Sequence, residues 1–212
     1  TPFVDQYLRE NPSVLVCSKD EWNSAVDLGL QVKSSLSCFI SISPLDEKSF
    51  FLKLAKESPS LIMAVDHIND PHNLGAIARS SAFFGVKYII VPKNRQVGVT
   101  QGGVQSAQGA FAFLDIVQVT NLARTLKEIK NHRYWVFGAS MEGVDVRRSK
   151  GLSWEHSVVV LGAEHKGLSP LVKKTCDQLI SIQGVDHTVG SLNVSVAAGL
   201  ILDKFFATRT EP

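Results

Sequence analysis

The chain has 212 residues, of which 44% are hydrophobic and 20% are charged, as in an ordinary globular protein with one medium domain or a small and a larger one. Its formal net charge of +2 excludes a globally basic nucleic-acid-binding protein, so a polyanion would have to bind at a local patch. No apolar run approaches the roughly 20 residues of a membrane span, and no signal peptide is visible, so no membrane contact is expected.

Three cysteines lie far apart in the sequence, at Cys17, Cys38 and Cys176, and they form no CxxC pair. This spacing argues against a disulfide framework and against a zinc site, and it favours a reducing compartment. We therefore expect a cytoplasmic protein.

Residues 1–60 predict a small unit in which strands and helices alternate. In chain order, the predicted elements are a strand at 13–17, a helix at 20–30, a strand at 37–42 and a helix at 44–56. The last helix carries acidic residues in its first turn, where the helix dipole favours them. A Ser-Pro-Ser linker then separates a small α/β domain, residues 1–58, from a larger domain, residues 61–212.

From residue 61 onward, apolar strand patterns alternate with helical patterns. Strands are predicted at residues 61–65, 87–91, 113–119, 134–138, 158–161 and 179–182. Helices are predicted at residues 74–84, 101–108, 121–132 and 169–176, and a last helix leads from the stretch 191–199 to residue 206. This alternation favours an α/β fold with a mostly parallel sheet covered by helices on both faces. Such sheets usually bind ligands beyond the carboxyl ends of their strands.

Two polar loops directly follow predicted strand ends, and each allows a structural and a functional interpretation. In the first, residues 66–79, Asn73 is expected at the loop–helix junction. Arg79 follows in a mostly apolar helix, either as a surface side chain or as a guanidinium aimed at a phosphate or carboxylate. In the second, residues 162–169, two glycines permit close backbone approach. Glu164 there is either solvated in a plain turn or directed at a ligand.

A third polar loop, residues 184–195, leads into the stretch 191–199 at the mouth of the last helix. Serine and asparagine at a helix start usually cap the helix and do nothing else. Backbone N–H groups at such a start can also hold an anion or a polar ligand. Both interpretations stay open for this stretch taken alone.

Motifs of several other enzyme classes are absent from the sequence. No GxGxxG follows the first strand of the larger domain, and neither GxxxxGK[ST] nor GxSxG occurs, which argues against dinucleotide, P-loop and α/β-hydrolase sites. Four histidines fall in or beside the loops without the spacing of metal ligands, so no metal is expected: His67, His72, His165 and His187. Local basic clusters, such as residues 147–150, allow RNA as a partner.

Three motifs occupy the three loops. They are Asp70-Pro71-His72-Asn73-Leu74-Gly75-Ala76-Ile77-Ala78-Arg79-Ser80, then Leu161-Gly162-Ala163-Glu164 with Gly167-Leu168, and finally Ser191-Leu192-Asn193-Val194-Ser195-Val196-Ala197. In this order and at this spacing they resemble the motifs of the SpoU/TrmH branch of the SPOUT RNA methyltransferases. The resemblance covers roughly residues 61–206, and three ordered motifs of this length make it highly specific, so chance agreement is not a serious alternative.

The resemblance implies an α/β sheet whose C-terminal part is threaded into a deep trefoil knot, and a homodimer with its active site near the interface. It implies methyl transfer from S-adenosylmethionine to a ribose 2′-hydroxyl of RNA, with S-adenosylhomocysteine as the product. The knotted loops would hold the cofactor largely through backbone contacts. The cofactor-binding residues implied are Gly138, Ala139, Ser140, Leu161, Gly162, Glu164, Gly167, Ile182 and Leu192.

A ribose hydroxyl is a poor nucleophile near neutral pH, so a base or an electrostatic activator must lie beside it. Arg79 matches the family's motif arginine, which is proposed to help deprotonate the hydroxyl. Because a free guanidinium titrates above about pH 12, clamping of an RNA phosphate and stabilisation of the developing alkoxide are favoured, and the base role stays open. Asn73, Glu164 and Asn193 would shape the site, with Ser191 or Ser195 orienting the ribose or the arginine.

Ala163 stands where some family members have Asn before the glutamate, and together with residues 105–110 it is similar to the branch that acts on ribosomal RNA. A guanosine in large-subunit rRNA is therefore the expected target. The alternatives are a tRNA 2′-O-methyltransferase and a non-catalytic RNA-binding or ribosome-assembly factor with the same fold. Residues 1–58 occupy the position of a small L30e-like RNA-binding domain in relatives.

Overall fold

A computed structural model describes residues 16–17, 39–40, 44–57, 61–93, 101–149, 152–164, 166–185 and 190–209. The chain divides into two compact units, Thr1–Ser43 and Pro44–Pro212. In the smaller unit, strands β1 (Val16–Cys17) and β2 (Phe39–Ile40) pair in parallel, within two of the predicted strands. The helix predicted at 20–30 lies outside the described residues.

The larger unit is built on a seven-stranded sheet whose described strand pairings are all parallel. In chain order its strands are β3 (Leu45–Asp46), β4 (Leu61–Asp66), β5 (Tyr88–Pro92), β6 (Asp115–Val119), β7 (Trp135–Asp145), β8 (Ser157–Gly162) and β9 (Gln178–Ser181). Their order across the sheet is β3-β6-β5-β4-β8-β7-β9. Strands β4 and β8 lie adjacent near the middle and are buried throughout, as continuous apolar runs require.

Helices cover both faces of this sheet, which confirms the predicted fold class. The described helices are α1 (Glu47–Glu57), α2 (Pro71–Phe83), α3 (Gln101–Ala107), α4 (Leu122–Asn131), α5 (Pro170–Thr175) and α6 (Val194–Phe206), with a 3-10 turn at Ala110–Ala112. Ile62 and Ala64 of β4 pack in one cluster with α1, α4 and α5. On the opposite face, the rings of Phe137 in β7 and Phe205 in α6 lie 5.1 Å apart.

Helix α1 belongs to the larger unit, which corrects the domain boundary expected between residues 58 and 61. Phe50 of α1 is fully buried, and its ring centroid lies 5.4 Å from that of Tyr88 in β5. The Ser-Pro-Ser stretch has the composition of a domain linker, but α1 before it and β4 after it belong to one unit. The apolar face of α1 needs a sheet to cover it, and the sheet of the larger unit provides that cover.

Helix α2 begins at Pro71, earlier than the start at residue 74 that its apolar periodicity predicts. Asp70 caps the helix, since its carboxylate accepts a hydrogen bond of 2.9 Å from the backbone N–H of His72. Proline is favoured in the first turn, where its missing N–H costs nothing. Asn73 therefore lies inside the first turn and not at the loop–helix junction. The first turn contains the polar residues His72 and Asn73, so apolar periodicity begins only at Leu74 and does not indicate the true start of the helix.

Strand β7 continues to Asp145, well beyond the predicted end at residue 138. Its pairing with β9 shifts register between Ala139 and Val144, which marks a bulge. At the end of the bulged stretch, Gly143 lies so close to β9 that an added Cβ would be 2.5 Å from the backbone of Ile180. We call residues 143–148 the β7 arm; they comprise the end of β7 and the turn that follows it beside the end of β9.

None of the helices in the described part of the chain has the length and apolar character to span a bilayer. Within the same residues, no cluster of three or more His, Cys, Asp or Glu side chains is placed to hold a metal ion. The trefoil knot implied by the resemblance stays a prediction.

Candidate functional site

The three motif-bearing loops meet at one end of the sheet, where β4 and β8 finish side by side. Asp66, the last residue of β4, pairs in register with Gly162, the last residue of β8. Asn73 on α2, Glu164 after β8 and Asn193 before α6 come together at this end. Along the chain, Glu164 lies 91 residues after Asn73, and Asn193 lies 120 residues after it.

These three side chains form a closed hydrogen-bond network. The Nδ2 of Asn73 donates to Oε1 of Glu164, and the Nδ2 of Asn193 donates to Oδ1 of Asn73 at 3.0 Å and to Oε1 of Glu164 at 3.4 Å. Asn73 is only 7% exposed, so its polar atoms need these partners. The second oxygen of Glu164 accepts no hydrogen bond from the described residues, which leaves it available to a ligand.

Asn193 is also the N-cap of helix α6, so the capping interpretation of this stretch is confirmed. Its Oδ1 accepts hydrogen bonds from the backbone N–H of Ser195 at 2.8 Å and of Val196 at 3.4 Å. The hydroxyl of Ser195 donates to the same oxygen at 2.6 Å. The side-chain oxygen thus serves the helix while the nitrogen serves the network, and the two roles do not compete.

A cavity of about 340 Å³ opens beside the network at the ends of β7, β8 and β9. It is lined by every residue expected to bind the cofactor except one: Ala139, Ser140, Leu161, Gly162, Glu164, Gly167, Ile182 and Leu192. Ser191 lines it as well. The exception is Gly138, where an added Cβ would lie 2.7 Å from both Cys176 Sγ and Leu168 Cδ1. Gly138 therefore permits close packing beneath the cavity.

Residues 162–164 and 166–168, between β8 and α5, form one wall of this cavity, and we call them the wall loop. Ala163 and Gly167 exchange two backbone hydrogen bonds, of 3.1 and 2.8 Å, which close the loop into a tight turn. Gly167 has a φ of 63°, in the left-handed region that favours glycine. An added Cβ on Gly162 would lie 2.3 Å from the carbonyl carbon of Gly167. The wall is therefore made of closely packed backbone.

Asp66 is a residue of this region that the sequence pattern did not single out. Its side chain is almost fully buried, accepts a hydrogen bond of 2.7 Å from the backbone N–H of Ser169, and lies 2.7 Å from Nδ1 of His67. These contacts fasten the end of β4 to the start of α5, directly after the wall loop. A carboxylate at the end of an otherwise apolar strand is the signal that could have found it.

Arg79 is not joined to the network. It is exposed, and among the described residues no hydrogen bond or ion pair engages its guanidinium. Six residues of helix correspond to about 9 Å along the axis and about 240° around it, so Arg79 leaves α2 on a different side from Asn73. Within the described residues, this guanidinium is therefore open to an anionic partner.

Arg147 on the β7 arm fastens the chain that follows β9. Its Nη2 donates to Oδ2 of Asp145 at 2.7 Å and to the backbone carbonyl of Gln183 at 2.6 Å. Hydrogen bonds from this guanidinium hold the pKa of the Asp145 carboxyl below its ordinary value. Gln183 directly follows Ile182, which lines the cavity, so Arg147 fixes where this lining segment leaves the sheet.

Solved structures identify the class of protein that has this fold. A Porphyromonas gingivalis protein assigned to the TrmH family of RNA methyltransferases matches with a TM-score of 0.65 and 26% identity, covering 70% of this chain and 59% of that one. The SpoU methyltransferase AviRb of Streptomyces viridochromogenes, in complex with AdoMet, matches in fold with a TM-score of 0.65 and 24% identity, covering 71% of this chain and 58% of that one. The fold is that of the SpoU/SPOUT class.

Sequence comparison then gives the family. A Staphylococcus haemolyticus protein assigned by its name to the TrmH family of tRNA/rRNA methyltransferases is 40% identical over 154 residues, which cover 73% of this chain. The match spans 61% of the length of that relative. Residues 60–203 match the SpoU rRNA Methylase family, and the chain belongs to this family.

Proposed function

We propose that this protein transfers a methyl group from S-adenosylmethionine to a ribose 2′-hydroxyl of RNA. Membership of the SpoU rRNA Methylase family supports the reaction class. The observation that carries the proposal is the hydrogen-bond network of Asn73, Glu164 and Asn193 at the edge of the cavity beside β8. A polar network of this kind beside a small-molecule cavity can position an acceptor next to a bound donor.

The cavity suits S-adenosylmethionine in its size and lining. Its volume of about 340 Å³ lies within the range of about 300–1,000 Å³ that small-molecule sites occupy. Ile182 and Leu192 offer apolar cover for an adenine ring, and the wall loop brings backbone N–H and C=O groups close to a ligand. When bound, the cofactor supplies a methyl group already activated on a sulfonium, so the proposal requires no metal.

Methylation forms an oxygen–carbon bond as the carbon–sulfur bond breaks, and the hydroxyl proton leaves to solvent or to an RNA phosphate. The Arg79 guanidinium would clamp that phosphate and stabilise the developing alkoxide. Asn73 and Asn193 hold one oxygen of Glu164, so its other oxygen can accept a hydrogen bond from the ribose. The hydroxyl groups at Ser191 and Ser195 would orient the ribose.

Ribosomal RNA is the substrate that we favour, and a guanosine of the large-subunit rRNA is the favoured target. The similarity of Ala163 and residues 105–110 to the rRNA branch supports this choice. The S. haemolyticus relative is named for both tRNA and rRNA, so tRNA is the second candidate. Mapping ribose methylation in both RNAs from a strain that lacks the protein distinguishes them. A methyl group missing from tRNA alone would overturn the rRNA assignment.

A cytoplasmic homodimer is part of the proposal, with the small unit Thr1–Ser43 contributing to RNA binding. Arg79 lies apart from the network of its own chain, as expected where two subunits complete a site. Val196 and Leu200, one turn apart on α6, are 51% and 45% exposed, and a dimer interface would cover them. Light scattering at micromolar concentration checks this state, and a stable monomer would contradict it.

Calorimetric titration of the purified protein with S-adenosylmethionine tests the proposed reaction most directly. We expect saturable binding of one cofactor per chain, because each chain carries its own cavity. No heat of binding at millimolar cofactor would overturn the enzyme proposal. The non-catalytic RNA-binding or assembly factor would then be the better explanation.

Replacing Arg147 by methionine is expected to weaken S-adenosylmethionine binding about tenfold, equivalent to about 1.4 kcal/mol. The change frees the Gln183 carbonyl and removes the guanidinium that hydrogen-bonds to the Asp145 carboxylate, which is only 6% exposed. Calorimetry on the folded variant measures the affinity. Arg148→Met is the matched control, because Arg148 is exposed, does not line this cavity and does not belong to the network. Equal affinity in the two variants would show that Arg147 does not position the lining segment.

A further inference from the structure

A second cavity, of about 570 Å³, lies across the wall loop from the cofactor cavity. Its lining comes from residues 67–70 and Asn73, from the wall loop, and from Ser169 and Pro170 at the start of α5. Both cavities share five wall-loop residues: Ala163, Glu164, Lys166, Gly167 and Leu168. The wall loop is therefore a thin partition between two spaces, and Glu164 borders both of them.

Methyl transfer restricts where the acceptor nucleotide lies. The attacking oxygen must come within about 3–3.5 Å of the methyl carbon and in line with the breaking bond. The ribose must therefore enter a space directly beside the cofactor cavity. Glu164 borders both spaces, and its network partner Asn73 lines the second cavity, so a ribose held at this network has that cavity beside it.

We propose that the second cavity receives the nucleobase of the target nucleotide, swung out of the RNA stack. This inference rests on the proposed function and adds to it a binding site for the base. Enzymes that do chemistry on a base swing its nucleotide out of the stack into a pocket and read the base by hydrogen bonds and stacking. An enzyme that must bring one ribose next to a bound cofactor can use the same rearrangement. A cavity of about 570 Å³ has the size of a small-ligand site.

The lining offers both the polar and the apolar contacts that a base needs. Ser169 occupies the N-cap position of α5, yet its hydroxyl makes no capping hydrogen bond and has no other partner within the described residues. The carboxamide of Asn69 is exposed and likewise without a partner in that part of the chain. Ile68 and Leu168 also line the cavity, through the small apolar parts of their side chains that stay exposed, 2% and 7%. These unused donors and acceptors lie where the edge of a base would meet them.

Lys166 lines both cavities and is exposed. An ammonium at this position can pair with a phosphate that flanks the target nucleotide, since phosphate contacts position a strand while contacts to bases specify it. The cavity and this cation together fit a nucleotide within an RNA strand better than a free nucleobase.

Ser169→Phe tests the proposal because the new ring fills the second cavity while the backbone N–H of residue 169 stays available to Asp66. We expect kcat/KM for RNA to fall about tenfold or more, while the Kd for S-adenosylmethionine stays within about twofold. The assay uses tritiated cofactor and total RNA from a strain that lacks the protein. Leu171→Phe is the matched control, since Leu171 is 67% exposed and lines neither cavity.

Binding of the base is measured separately by saturation-transfer NMR with the four nucleoside 5′-monophosphates in the presence of S-adenosylhomocysteine. We expect transfer to base protons with the wild type and with Leu171→Phe, and its loss with Ser169→Phe. Unchanged RNA turnover in Ser169→Phe, or base signals that are absent from the wild type or equal in the two proteins, would overturn the proposal. A wild type that binds no S-adenosylmethionine would overturn the proposed function as well, so the two failures are distinguishable.

Discussion

Arg79→Ala is expected to lower methyl transfer to RNA about 100-fold or more, because one group that stabilises developing charge contributes about 10²–10³ to kcat. The affinity for S-adenosylmethionine is expected to stay unchanged. Arg79 lines neither cavity and makes no bond to the Asn73–Glu164–Asn193 network, so the cofactor site does not depend on it. Single-turnover rates with tritiated cofactor and calorimetric titration measure the two quantities on the same preparation.

Two further variants make this test specific. Arg148→Ala removes another exposed arginine and is expected to keep full turnover. Arg79→Lys keeps the positive charge but loses the planar fork that binds a phosphate through two hydrogen bonds, so we expect it to restore only a small part of the rate. Substantial turnover by Arg79→Ala would refute the role assigned to this residue.

Gly162→Ala is expected to weaken S-adenosylmethionine binding at least about tenfold and to destabilise the fold by about 1–3 kcal/mol, the usual cost of overpacking. The added Cβ would lie 2.3 Å from Gly167 C, 2.4 Å from Leu168 N and 2.6 Å from Gly167 O. These are backbone atoms that cannot rotate away, so the wall loop must open. Calorimetry and urea denaturation measure the two effects.

Gly190→Ala is the matched control, because Gly190 lines the same cavity and an added Cβ there would meet nothing within 4 Å. We expect its cofactor affinity to stay within about twofold of the wild type. Equal losses in the two variants would show that the close packing of the wall loop is not the cause. Normal binding by Gly162→Ala would lead to the same conclusion.

The sequence predicts the sheet and its ligand-binding end because both depend on local patterns. Continuous apolar runs predict strands β4 and β8, and parallel strands finish at the same edge, so the loops after them must meet. Asn73, Glu164 and Asn193 could be grouped only through the resemblance to a family. Composition and periodicity alone leave Glu164 as a turn residue and Asn193 as a cap.

Other features could not be predicted because they depend on partners far away in the sequence. Asp66 accepts a hydrogen bond from the backbone N–H of Ser169, and Arg147 donates one to the carbonyl of Gln183. No local sequence pattern predicts either contact. The assignment of α1 to the smaller unit was wrong for a similar reason. Its apolar face shows that the helix must pack somewhere, but only the folded chain shows which sheet it covers.

The length of chain between the members of the network has a consequence for biosynthesis. Hydrogen bonds that join residues 91 and 120 positions apart close long loops. Closing such a loop costs conformational entropy, which is lost before the contacts can stabilise the fold. A nascent chain that has not yet emerged as far as Asn193 can build most of the sheet, yet it cannot assemble the network. Cofactor binding during translation would therefore mark molecules whose C-terminal helix has already docked.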